Sequence, residues 1–156
     1  MVTALHYNDL VPGFVAILED NLVRIAEMRA CLAEALPAAS GIVFENAFEM
    51  IEWLKDHLGE VMLISLDHDL PLPGVDGCTI DCGDGRMVTD FLASRAPTCP
   101  VIVHSSNDYC APGMFFALKE AGWPTARVVP YEGHQWVRGV WKPQVVKYLR
   151  DGWIAP

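Results

Sequence analysis

Short apolar runs, each followed by residues at helical spacing, recur along the chain. Residues 14–18, 42–44, 61–66, 101–103 and 127–129 read as strands. The run Val61-Met62-Leu63-Ile64-Ser65-Leu66 lacks the polar alternation of a strand with one wet face, so it predicts a strand buried on both sides. Between the runs, apolar residues fall three and four apart. Leu22, Ile25, Met28, Leu32 and Leu36 predict a helix that begins near Asn21 and stops before Pro37. Ala47, Ile51, Leu54 and Leu58 predict a second, with Asn46 and Glu49 spaced as an N-cap and its reciprocal acid and Gly59 at the end. Residues 87–94, 114–121 and 143–149 predict three more, Pro143 standing at the first position of the last. This alternation predicts an α/β domain with five parallel strands and helices on both faces of the sheet. Residues 1–12 have no clear period and read as an N-terminal extension, leaving 13–156 as a single domain.

Composition narrows the class. No apolar run approaches the ~20 residues needed to cross a bilayer, and no charged segment followed by an apolar one opens the chain as a signal peptide would. Five cysteines, an odd number, do not suggest a disulfide framework, so a reducing cytoplasm is expected. A net charge of −9 argues against an extended nucleic-acid surface, which needs clustered Lys and Arg. It is compatible with a small anionic ligand held through a divalent cation. Cys78 and Cys82 lie in the turn-rich stretch 70–85, but only His68 is close enough in sequence to complete a zinc site, and none is expected.

The chemistry gathers at strand ends. Glu19-Asp20 follows the first strand, Asp67-His68-Asp69-Leu70 the third, and His104-Ser105-Ser106-Asn107 the fourth. Open α/β sheets bind ligands at their carboxyl edge, and in the flavodoxin-like order 2-1-3-4-5 the first and third strands are neighbours. Glu19, Asp20 and Asp67 would then crowd together, each raising the others' proton affinity. Mg²⁺ or Mn²⁺ relieves that repulsion, with the Asp69 carbonyl as a further donor. His104 is a candidate acid or base, although a lone histidine after an apolar strand equally fits a packed core position. His68 could face the ligand or buttress its loop. His134, past the fifth strand, could reach the same edge or stay solvated. Ser105 and Asn107 could hold phosphate oxygens or cap the next helix. Trp136 and Trp141 could stack a nucleobase, or cover the core.

From 14 to 149 the chain resembles the receiver domain of two-component response regulators, through Glu19-Asp20, Asp67, Ser105, Asp84-Gly85 and Ala121-Gly122. Pro130 stands where that family carries its strand-five lysine, and the loop between Asp67 and Asp84 is longer. Asp67-His68-Asp69-Leu70, the long loop and Val103-His104-Ser105 with Asn107 more closely resemble the cyclic-phosphate-processing receiver-like family. That resemblance implies a metal-dependent phosphoesterase acting on cyclic phosphates of nucleotides or RNA ends, as in RNA repair. Asp67, His68, His104 and Ser105 would be catalytic, Asn107 and His134 would bind substrate, and Glu19, Asp20, Asp67 and Asp69 would hold the metal. Arg127, Arg138 or Lys142 would replace the missing lysine. Two alternatives stay open. One is a divergent receiver that accepts phosphate on Asp67 and acts through protein contacts, homodimers included; the other is a module that binds a phosphorylated ligand without chemistry.

Overall fold

The structure, a computed structural model, describes residues 13–71, 74 and 80–150. The expected extension 1–12 and Cys78 lie outside the described residues. Five strands, β1 (Phe14–Leu18), β2 (Ser40–Phe44), β3 (Val61–Leu66), β4 (Val101–His104) and β5 (Thr125–Val128), pair in parallel in the order β2-β1-β3-β4-β5. They alternate with α1 (Leu22–Ala35), α2 (Ala47–His57), α3 (Gly85–Ala93), α4 (Ala111–Glu120) and α5 (Lys142–Arg150). No helix among the described residues is long and apolar enough to cross a membrane.

Successive side chains of a strand point to opposite faces, so each central strand feeds two cores. Ala16, Leu18, Ile64, Leu66, Val101 and Val103 pack against Met50, Leu54, Val88, Leu92, Met114 and Leu118 of α2, α3 and α4. Val15, Ile17, Leu63 and Ile102 meet Met28, Cys31, Leu32, Val145 and Leu149 of α1 and α5. This double burial, worth about 1.5–3 kcal/mol per large aliphatic side chain, is why β1, β3 and β4 read as unbroken apolar runs. Register then sets the functional edge. Leu18 pairs with Leu66 and Leu66 with Val103, so Glu19, Asp67 and His104 leave the sheet side by side.

Local chemistry fixes the helix ends. Asn46 Oδ1 accepts the N–H groups of Phe48 (2.9 Å) and Glu49 (3.2 Å), which caps α2 as expected. At the end of α4, Gly122 adopts φ +86°. Its N–H reaches the Lys119 carbonyl and that of Trp123 the Leu118 carbonyl, the two bonds of a Schellman turn.

β2, α3 and α4 begin two or three residues earlier than expected, and two further differences have a clear physical reason. β5 spans Thr125–Val128 rather than 127–129, because pairing begins as soon as the α4 turn ends. Val129 is half exposed beyond it, and Pro130 has no N–H with which to extend a ladder. Pro143 does not open the last helix. The chain is already helical through Val137–Trp141, as a π turn in which the Lys142 N–H reaches the Val137 carbonyl. The wider turn accommodates a proline that, in a regular helix, would meet the carbonyl four residues earlier.

Candidate functional site

Glu19 folds back over the start of α1. Its Oε1 accepts the N–H groups of Asp20 (3.1 Å) and Asn21 (3.0 Å), while Oε2, fully buried, lies 3.3 Å from His104 Nε2. The alignment is too poor for a hydrogen bond, and neither atom has one with any described residue. Asp67 Oδ1 accepts the His68 N–H at 2.7 Å, and its main-chain N–H is anchored to the Leu18 carbonyl. One ligand atom each from Glu19, Asp67 and His104 lies within 4.8 Å of the others. Asp20, Asp67 and Asp69 line an open cleft of about 520 Å³ beside this group.

The electrostatics follow from burial and crowding. Burial and then the Glu19 charge push Asp20 up to about 6. Asp67 is also raised, chiefly by burial, with the neighbouring His104 pulling the other way and Glu19 adding to the rise. Burial raises Glu19 too, but His104, the Asn21 N–H and Arg24 together outweigh it and leave that carboxyl below its ordinary range.

Beneath His104 lies a buried relay. Trp141 Nε1–H donates to Ser65 Oγ at 2.9 Å, and Ser65 Oγ lies 2.7 Å from His104 Nδ1. Indole can only donate, so the Ser65 hydroxyl accepts from Trp141. Toward His104 Nδ1 the hydroxyl donates when the ring hydrogen is on Nε2 and accepts when it is on Nδ1, so the pair is compatible with either tautomer of the ring. Trp136 stacks on the same ring, centroids 5.8 Å apart. Both tryptophans are fully buried, so they cover the core and neither is free to stack a nucleobase.

The other expected residues build the rim. His68 is held through Nδ1 by Asp69 Oδ1 at 2.8 Å, with Asp84 Oδ2 4.0 Å from its Nε2. The Asp69 carboxylate also receives Asn107 Nδ2 at 3.1 and 3.3 Å. Asn107 Oδ1 accepts the N–H groups of Tyr109 and Cys110, and Ser105 Oγ that of Asn107, so both side chains shape the approach to α4. His134 is exposed and sits outside the Glu19–Asp67–His104 group. Gly85 explains the Asp84-Gly85 step: a Cβ there would stand 1.9 Å from the Asp67 carbonyl oxygen, because α3 begins directly against the Asp67 loop.

None of the three expected cations substitutes for the absent lysine. Arg127 pairs with Asp108 at 3.0 Å, Arg138 with Glu27 and Glu34, and Lys142 with Glu34 at 2.7 Å. The cation at the site is Arg24, not singled out by sequence reasoning. Its Nη1 lies 3.8 Å from both Glu19 Oε2 and Asp67 Oδ2, and its guanidinium lies 5.5 Å from the Trp136 ring centre. A signal was present: Arg24 falls in the first turn of α1, where the helix dipole disfavours a cation, four residues after Asp20.

A family model for the cyclic-phosphate processing receiver domain matches residues 16–120. The chain belongs to this family. The cyclic-phosphate processing receiver domain here also shares its fold with response regulators. One is the phosphorylated cyanobacterial phytochrome response regulator RcpA, at TM-score 0.72 and 17% identity, covering 94% of this chain and 100% of that one. Another is the Mn²⁺-bound form of response regulator Rcp1, at 0.67 and 14%, covering 93% and 99%. A third is a receiver domain from Rhodospirillum rubrum, at 0.66 and 14%, covering 91% and 96%. No curated protein matches the chain by sequence.

Proposed function

We propose that this receiver domain hydrolyses cyclic phosphates on nucleotides or RNA ends with Mg²⁺ or Mn²⁺. The observation that carries the reading is the buried group Glu19, Asp67 and His104, in which one carboxylate oxygen and one ring nitrogen lack hydrogen-bond partners. Oxygen donors at the ends of adjacent strands, one of them orphaned, fit a hard divalent cation. Glu19, Asp20 and Asp67 would hold it, with the Asp69 carbonyl as a further donor. Such a cation neutralises the carboxylates and polarises the phosphoryl group.

The remaining roles fall to the chain's own groups. Water adds to phosphorus, one ring P–O bond breaks, and the leaving oxygen takes a proton. His104, held through Nδ1 by Ser65, would donate a hydrogen bond from Nε2 to an oxygen whose negative charge grows in that step. The proton that water loses ends on the leaving oxygen, so the step releases a monoester with protons balanced. Asp69, Asn107, Ser105 and His68 keep the rim in place, while His134, exposed beyond β5, would serve as a substrate contact.

The receiver fold favours a second reading, phosphate accepted on Asp67 with output through protein contacts. Pro130 in place of a lysine and the His104 relay beneath the site weigh against it. Two assays on the same preparation separate the readings: chromatography of 2′,3′-cyclic nucleotides incubated with protein and Mg²⁺, and labelling with acetyl phosphate. Release of monoester that Asp67→Asn and His104→Ala both abolish supports hydrolysis. Stable label on Asp67 without turnover of any cyclic phosphate overturns it.

A further inference from the structure

We propose that Arg24 is the residue that binds the phosphoryl oxygens in this site, supplying from α1 the cationic role that Pro130 cannot fill from the end of β5. The proposal rests on the site accepting a phosphoryl group, though not on hydrolysis.

The guanidinium is near two carboxylates and bonded to neither. At 3.8 Å from Glu19 Oε2 and from Asp67 Oδ2 it is attracted by both but lies beyond hydrogen-bond reach, so its donors stay available. Its side chain is a quarter exposed and lines the same open cleft as Asp20, Asp67 and Asp69. It lies over Trp136, the ring that also stacks on His104. Arginine presents a planar fork that matches two phosphoryl oxygens. Beside the cleft stand independent signs of a ligand, Glu19 Oε2 and His104 Nε2, buried and without hydrogen-bond partners among the described residues. A cation in the first turn of a helix is a poor choice for stability alone. At this place it lets one residue balance the carboxylates when the site is free and turn to the phosphoryl group when a metal ion takes them over.

That dual position predicts shifts of opposite sign. Without Arg24 the carboxylates lose a nearby positive charge, so a metal ion binds more tightly, while a phosphate ion loses a charge-assisted pair. A merely structural role would weaken both together. Calorimetry of the full chain with MgCl₂ alone, and then of the Mg²⁺-loaded protein with inorganic phosphate, reads each quantity. Arg24→Gln is expected to weaken phosphate binding about 10- to 100-fold and to tighten Mg²⁺ binding about 3- to 30-fold. Arg24→Lys is expected to keep Mg²⁺ binding near the wild-type value and to restore part of the phosphate affinity. Unchanged phosphate affinity in Arg24→Gln, a fall of both affinities together, or no phosphate binding by the wild type overturns the assignment. Wild-type protein that turns over no cyclic phosphate, with the opposite shifts intact, refutes hydrolysis and leaves Arg24 in its role.

Discussion

Ser65→Ala tests the relay that orients His104. The Ser65 hydroxyl sits between two fully buried groups, accepting Trp141 Nε1–H at 2.9 Å and sharing a hydrogen bond with His104 Nδ1 at 2.7 Å. Removing it strands an indole N–H and a ring nitrogen in the interior. A buried polar group left unpaired costs about 1–3 kcal/mol, so the pair predicts a loss of about 2–6 kcal/mol, a large share of the roughly 5–15 kcal/mol that holds a domain together. Trp141→Phe removes the donor and leaves Ser65 bonded to His104, which predicts a smaller polar loss of about 0.5–1.5 kcal/mol beside the packing change. In the double variant no indole is left to strand, so its loss should fall short of the sum of the singles by about 1–3 kcal/mol. Urea unfolding at constant slope measures all three. Nitrogen NMR of His104 gives a second readout, with the wild-type ring carrying its hydrogen on Nε2 if it donates as proposed and Ser65→Ala losing that preference. A Ser65→Ala protein within about 0.5 kcal/mol of wild type, its His104 tautomer unchanged, would refute the relay.

Further predictions test the frame around the site. Gly85→Ala forces a Cβ to 1.9 Å from the Asp67 carbonyl, so it should cost about 2–4 kcal/mol in chemical denaturation. Gly59→Ala meets no heavy atom within 4 Å and should be neutral or gain up to about 1 kcal/mol. Hydrogen bonds from Arg138 and Lys142 pull Glu34 from 4.5 down to about 2, so its contribution to stability is complete above 4.5 and fades as pH falls toward 2. Glu34→Gln should therefore flatten the acid side of the melting-temperature profile in that window, and an unchanged slope would count against the network. Burial pushes the Cys99 thiol up to about 12, whereas Cys110 is only half-buried. A thiol reagent should therefore modify Cys110 in the native state and reach Cys99 only on unfolding.

The parts of the fold legible in the sequence were those where burial dictated composition. β1, β3 and β4 are covered on both faces, so their apolar runs and the acids that end them marked both strand and site. β5 lies at the sheet edge and begins with Thr125-Ala126-Arg127, too mixed in polarity to signal where pairing starts. Pro143 looked like a helix start because proline fits the first turn, and nothing in the local sequence announces a π turn ahead of it. At the site, strand order brings Glu19, Asp67 and His104 together, whereas Asp20 and Asp69, expected beside them as metal ligands, line the adjoining cleft. The role of Ser65 was invisible because it depends on a distant partner. Ser65 read as one more residue of a buried strand until Trp141, 76 positions later, was placed against it. Arg24 was passed over, and its place became plain only when the fold set it beside Glu19 and Asp67.

The most direct test of the central claim is a ³¹P NMR time course of the protein with Mg²⁺ and 2′,3′-cyclic nucleotides or a short RNA bearing a cyclic end. The expected result is steady replacement of the cyclic resonance by a single monoester, lost in both Asp67→Asn and His104→Ala. A cyclic resonance that persists for every substrate, in protein that still binds Mg²⁺, would contradict it.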